Sequence, residues 1–260
     1  MDELRIFMVV RRDLPLSALG MIDLAAEAVF GAFQNATVVA PEAAALYAAD
    51  EEYHGKIALG AKNANALERS RAECAAAGLP SAMAFHGNEP ACLGVGPCRR
   101  EDLPDFVRRM QLFPLDWEPG AAALPSPDAA NTPVLFVALR ADLAIPLGKL
   151  LPQTGHATLG AYLEALKAGS GWAELYAGAA RRARRVILVK DKPAIEALAA
   201  ACAGEGVPHH LVVDQGRTYF PEPTMTCLGV GPVPLYRVPQ ALNRSTAAAP
   251  GWQPALPAAT

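Results

Sequence analysis

Lys149, Gln153 and His156 lie at spacings i, i+4 and i+7, which puts all three on one face of any helix that contains them. Pro152 lacks an amide hydrogen and is tolerated in a helix's first turn, so the sequence predicts that Lys149 stands at a helix N-terminus. A cation there opposes the helix macrodipole, which favours anions at that end by ~0.3–1 kcal/mol. Such a lysine calls for a negative partner: a phosphate, a carbonyl oxygen gaining charge during acyl transfer, or a protein carboxylate. Asp214 follows the apolar Leu211–Val213 and opens the turn Gln215-Gly216-Arg217-Thr218, rich in hydroxyl and guanidinium donors. If the strands leading to both segments are parallel, Lys149 and Asp214 lie beyond their carboxyl ends, the edge where α/β sheets place sites. Spacing alone leaves two readings open: a site, or a Lys–Asp pair and a capped turn that only hold the fold.

Other reactive side chains read as structure. His156 taken alone is a packed, hydrogen-bonded histidine, His209-His210 mark the start of a strand with one ring exposed, and Cys92 and Cys227 sit in apolar strand runs. The five cysteines form no CxxC pair, so neither a disulfide framework nor a zinc site is expected, and no cofactor is implied. Nothing suggests a Ser–His–Asp nucleophile or a GxSxG elbow.

The elements that must position these residues come in duplicate. Cys92-Leu93-Gly94-Val95-Gly96-Pro97 recurs unchanged as Cys227-Leu228-Gly229-Val230-Gly231-Pro232. Three further blocks repeat in the same order: the segment from Phe7 to Leu14 with that from Phe136 to Leu143, Gly31-Ala32-Phe33 with Gly160-Ala161-Tyr162, and 74–80 with 202–208. In the second copy, Val134–Leu139, Val186–Val189, Leu211–Val213 and Met225–Val230 read as strands, the last closed by Gly231-Pro232. Leu150–Leu166 and Ala194–Ala203 read as helices. The expected architecture is α/β: two tandem copies of a small domain with a mixed, roughly four-stranded sheet flanked by helices. Residues 1–116 form a degenerate copy, 117–132 a Pro/Gly/Ala-rich linker, 133–244 the copy with the polar residues, and 245–260 a disordered tail. Aligning Gly20 with Gly148 sets Met21, Ala25 and Ala28 against Lys149, Gln153 and His156, so the first copy's corresponding face reads as apolar.

Charge points the same way. Residues 1–126 carry 11 basic and 17 acidic side chains, whereas 127–260 carry 12 and 9. An anionic partner would favour the second half, where Arg181, Arg182, Arg184 and Arg185 form the densest basic run; a solvated face before a strand explains them equally well. Proline, glycine or a charge breaks every apolar run short of the ~18 residues of a membrane span, and Met1-Asp2-Glu3-Leu4-Arg5 lacks a signal peptide's basic start, so a soluble, cytoplasmic protein is expected.

The second copy resembles the archaeal and eukaryotic (type 2) peptidyl-tRNA hydrolases. The likeness rests on Gly148-Lys149 with Gln153 and His156, on Asp214-Gln215-Gly216-Arg217-Thr218, and on Thr226-Cys227-Leu228-Gly229-Val230-Gly231-Pro232. It covers nearly all of 133–238, and the first copy looks like a diverged relative. The resemblance implies metal-independent hydrolysis of the ester joining peptide to tRNA. Lys149 and Asp214 would be the catalytic pair, Gln153, His156 and Thr218 would support them, and Arg217 would join the arginine run on the RNA. It also implies that the two copies pack as an intramolecular pseudo-dimer, with higher oligomers open. Two alternatives stand beside it: a non-catalytic module binding RNA, nucleotide or protein on the same scaffold, and an esterase or amidase for a smaller substrate.

Overall fold

A computed structural model describes residues 3–50, 55–120, 132–179, 182–216, 219–243, 246–247 and 254. Most of the expected linker and tail, together with Arg181, Arg217 and Thr218, lies outside them. The chain divides into two compact units. Among the described residues, one takes in 3–120 and 146–155, the other 132–145 and the residues from 156 onward.

The first repeat runs β1 (Arg5–Arg11), α1 (Ala18–Val39), α2 (Pro41–Ala49), β2 (Gly55–Ala61), α3 (Ala64–Ala76), β3 (Ser81–His86), β4 (Glu89–Cys98) and a short α4 (Asp105–Arg108). The second repeats that order: β5 (Val134–Arg140), α5 (Leu147–Lys167), α6 (Gly171–Gly178), β6 (Ala183–Val189), α7 (Lys192–Gly204), β7 (His209–Asp214), β8 (Thr224–Val233) and α8 (Gln240–Asn243), then β9 (Thr246–Ala247). The first sheet has the order β2-β1-β4-β3 and the second β7-β8-β5-β6-β9. In each, the first strand pairs parallel with the second and antiparallel with the long fourth strand. β7 is antiparallel to β8, so it runs parallel to β5, and the β6–α7–β7 crossover passes two intervening strands. β1 and β5 are central and buried on both faces, which is why they read as unbroken apolar runs.

One face of the second sheet closes over Phe136, Ile187, Ile195, Leu198, Leu228 and Val230; its counterpart in the first uses Phe7, Leu59, Leu67, Leu93 and Val95. On the other face the long helix meets the sheet with almost no side chain between. A Cβ on Gly229 would lie 1.9 Å from the Ala157 carbonyl oxygen, and one on Gly94 would lie 2.0 Å from that of Ala28. Only glycine permits this approach, and it accounts for the duplicated Leu-Gly-Val.

Several local expectations shift. Thr246–Ala247, assigned from the sequence to an unstructured tail, form β9 on the outer edge of β6. The first repeat does the same with 111–113, where Phe113 donates to Ala58 and Gly60 to Gln111. β8 runs on through Gly231-Pro232 to Val233. Helix α5 begins at Leu147, three residues before the expected start, so Pro152 sits inside it instead of in its first turn. Lys149 nonetheless stays in that turn, its amide donating to Pro146 at 2.9 Å. β6 begins at Ala183, because pairing with β5 draws the arginines into the strand despite their charge.

Candidate functional site

The connection from β5 to α5 is anchored first by Arg140. Its guanidinium donates to both oxygens of Asp142, at 3.0 and 2.5 Å, and to the Met225 carbonyl at 2.9 Å. These hydrogen bonds hold the Asp142 carboxyl below the usual carboxylate range. The first repeat carries the same device in Arg11, which grips Asp13 at 2.9 Å and the Pro90 carbonyl at 3.0 Å. A feature present in both copies belongs to the scaffold. This one ties the end of the central strand to the start of the long antiparallel one.

The connection, residues 141–146, then leads to α5. Lys149 and His156 are half-buried and Gln153 is only 7% exposed, so the amide lies inside the protein. Across the sheet, β7 ends at Asp214, also half-buried. Its Oδ1 accepts the Gly216 amide at 2.9 Å, closing a turn. Gly216 has φ +70°, and a Cβ there would fall 2.6 Å from the backbone carbon of Glu222. The two arms of the 215–223 loop therefore touch, and Gly216 is required both for its conformation and for that contact. Tyr219 leaves the loop to donate its hydroxyl to the Ala144 carbonyl at 2.5 Å, in the connection that leads to α5. Because β5 and β7 are parallel, that connection and the Asp214 loop both lie beyond the carboxyl ends of the second sheet's strands.

The two copies align by their backbone contacts, and this changes the residue correspondence. Arg11 and Arg140 make the same bonds, α1 and α5 start at Ala18 and Leu147, and Gly94 and Gly229 press on Ala28 and Ala157. The counterpart of Lys149 is therefore Gly20, that of Gln153 is Leu24 and that of His156 is Glu27. The glycine-to-glycine alignment, which gave Met21, Ala25 and Ala28, is one residue out. β3 and β7 likewise set His86 against Asp214, and a tight turn at Gly87-Asn88 replaces the whole 215–223 loop. The first copy thus has Gly20, Leu24 and His86 where the second has the lysine, the amide and the carboxylate, and Glu27 where it has His156.

The arginine run does not form one surface. Arg182 donates to the Ala177 carbonyl at 3.0 Å, and Arg184 donates to the hydroxyl of the buried Tyr176 at 3.2 Å. Lys56 repeats the latter contact in the first unit, reaching Tyr47 at 2.9 Å, which marks it as part of the scaffold. Burial pushes the Lys56 amine down to about 7. Arg185 alternates to the opposite face of β6 and is exposed. His209 and His210 begin β7 and are both half-buried, and the His210 ring covers the bare backbone of Gly160 on α5. All five cysteines are buried, and Cys74, Cys98, Cys202 and Cys227 are pushed up to about 12 by desolvation. Among the described residues no three His, Cys, Asp or Glu side chains group as metal ligands, and no helix is long and apolar enough to cross a membrane.

The model of the family described as Peptidyl-tRNA hydrolase PTH2 matches twice, over residues 4–113 and 134–244. The chain belongs to this family. Named relatives agree. A "Peptidyl-tRNA hydrolase" of Methanopyrus kandleri is 36% identical over 96 residues, 37% of this chain and 81% of its own length. Those of Thermococcus sibiricus and Haloquadratum walsbyi are 32% and 30% identical over 98 and 96 residues, covering 80% and 82% of their lengths. Each match spans about one repeat, so the chain holds two family domains where those relatives' matched length accommodates one.

Sequence reasoning missed Tyr219, the Arg140–Asp142 clamp and the Arg184–Tyr176 contact. The clamp had a signal, since Arg and Asp recur two residues apart in both copies. Tyr219 had none, because its partner is a backbone carbonyl 75 residues away.

Proposed function

We propose that the second repeat is a peptidyl-tRNA hydrolase that acts in the cytoplasm, and that the first repeat serves as its scaffold and pseudo-dimer partner within one chain. The observation that carries this reading is the contrast between the copies: the same scaffold is kept in both, whereas Lys149, Gln153, His156, Asp214 and the long loop occur in one.

In the proposed reaction, the Asp214 carboxylate takes a proton from water as the oxygen attacks the carbonyl carbon of the peptidyl ester. The Lys149 ammonium stabilises the oxyanion that forms, and the bond to the terminal ribose oxygen then breaks, that oxygen leaving with a proton. Gln153 and His156 hold the lysine's helix face in register, and Thr218 orients the carboxylate. Of the arginines expected on the RNA, exposure on β6 favours Arg185 as the phosphate contact, with Arg181 and Arg217 as further candidates from the sequence.

The test is release of labelled peptide from peptidyl-tRNA by the purified chain. Lys149→Ala is expected to lower kcat by ~100-fold or more while the fold survives, as loss of an oxyanion stabiliser does elsewhere. A variant that keeps its rate and loses only melting temperature would make Lys149 structural.

A further inference from the structure

We propose that Tyr219 is a positioning residue for hydrolysis, acting through Asp214 by tethering the 215–223 loop to the β5–α5 connection; this rests on the hydrolase reading above. The loop hangs from the end of β7, and within itself it is bound by the Asp214–Gly216 turn, by the contact of Gly216 with Glu222, and by a bond from the Thr224 hydroxyl to the Glu222 carbonyl at 2.9 Å. Among the described residues, a bond that does leave the loop is that of the Tyr219 hydroxyl, which reaches the Ala144 carbonyl at 2.5 Å, five residues before Lys149. Phe220 stands edge-on to the Tyr219 ring, with centroids 5.0 Å apart, and steadies it.

The first repeat supplies a control. There the Arg11–Asp13 clamp holds the same connection without any tyrosine, and the Gly87-Asn88 turn has no lobe to restrain. The tether therefore is not needed to hold the connection or to fold the domain. It occurs in the repeat that carries both Asp214 and Lys149, whose separation matters to the proposed reaction. Catalysis is far more sensitive than folding to that separation, a ~1 Å misplacement costing on the order of 100-fold in rate.

Tyr219→Phe removes the hydroxyl and keeps the ring. The expected result is a roughly 10- to 100-fold fall in kcat with KM and melting temperature unchanged, and no further fall when the substitution is made in an Asp214→Ala chain. Amide exchange over 212–222, the Gly216 amide above all, should become faster. An unchanged kcat, a rise in KM alone, or an equal loss on the Asp214→Ala background would overturn the proposal. A wild-type chain that releases no peptide would overturn the hydrolase reading instead; in that case faster exchange in Tyr219→Phe still supports the tether, and unchanged exchange refutes it.

Discussion

Replacing Gly229 by alanine should damage the second repeat and its chemistry together. The new Cβ would sit 1.9 Å from the Ala157 oxygen, 2.6 Å from its carbon and 2.9 Å from the Ala161 Cβ. A carbon–oxygen contact without a covalent bond settles near ~3.3 Å or beyond, so α5 must retreat from β8 by more than ~1 Å. Overpacking of this kind costs ~1–3 kcal/mol, which for a domain of this size lowers Tm by roughly 4–8 °C per kcal/mol. His156 adjoins Ala157, and Gln153 and Lys149 lie one and two turns further along the same helix. A ~1 Å displacement there should slow peptide release by about 100-fold per folded molecule. Gly94→Ala creates the matching clash, 2.0 Å from the Ala28 oxygen, in the repeat without the lysine. Both variants should melt earlier by circular dichroism, and only Gly229→Ala should lose hydrolysis after correction for the folded fraction. A Gly229→Ala chain with wild-type stability and rate would refute the close packing. Equal loss of activity in Gly94→Ala would refute the division of labour.

Two further outcomes follow from buried and exposed cations. With Lys56 at about 7 in the folded chain against 10.5 when unfolded, the unfolded state holds the extra proton between these values, so this residue makes stability rise with pH across that window by up to ~1.4 kcal/mol per unit. The raised cysteines act oppositely above about 9, so urea titrations of wild type and Lys56→Met compared between pH 7 and 9 should show a flatter profile in the variant and greater stability at pH 7; parallel profiles would contradict the burial of the amine. For RNA, Arg185→Ala should reduce the salt dependence of tRNA binding, by ~0.9 in slope for each duplex phosphate that is no longer neutralised, whereas Arg184→Ala should lower Tm and leave the slope alone. The reverse assignment would place the phosphate-binding side chain on the Tyr176 side of β6.

The duplication, the α/β architecture and the polar face of Lys149, Gln153 and His156 were legible because each rests on periodicity or verbatim repetition. What escaped depended on partners distant in sequence. β6 looked short because arginine breaks an apolar run, although pairing with β5 decides the strand. The copies were offset by one residue because Gly20 invites a match with Gly148, while the true equivalence is set where Gly94 and Gly229 meet the helix backbone. The β9 edge strand is too short to carry a pattern, and only its pairing with Ile187 and Leu188 reveals it.

The most direct test of the central claim, that one repeat carries the site on a scaffold both share, is the peptide-release rate of Asp214→Ala set beside His86→Ala. These residues occupy the same place in β7 and β3. Loss of most hydrolysis in Asp214→Ala, with a nearly unchanged rate in His86→Ala and both chains folded, is the predicted result. Comparable rates in the two variants would contradict it.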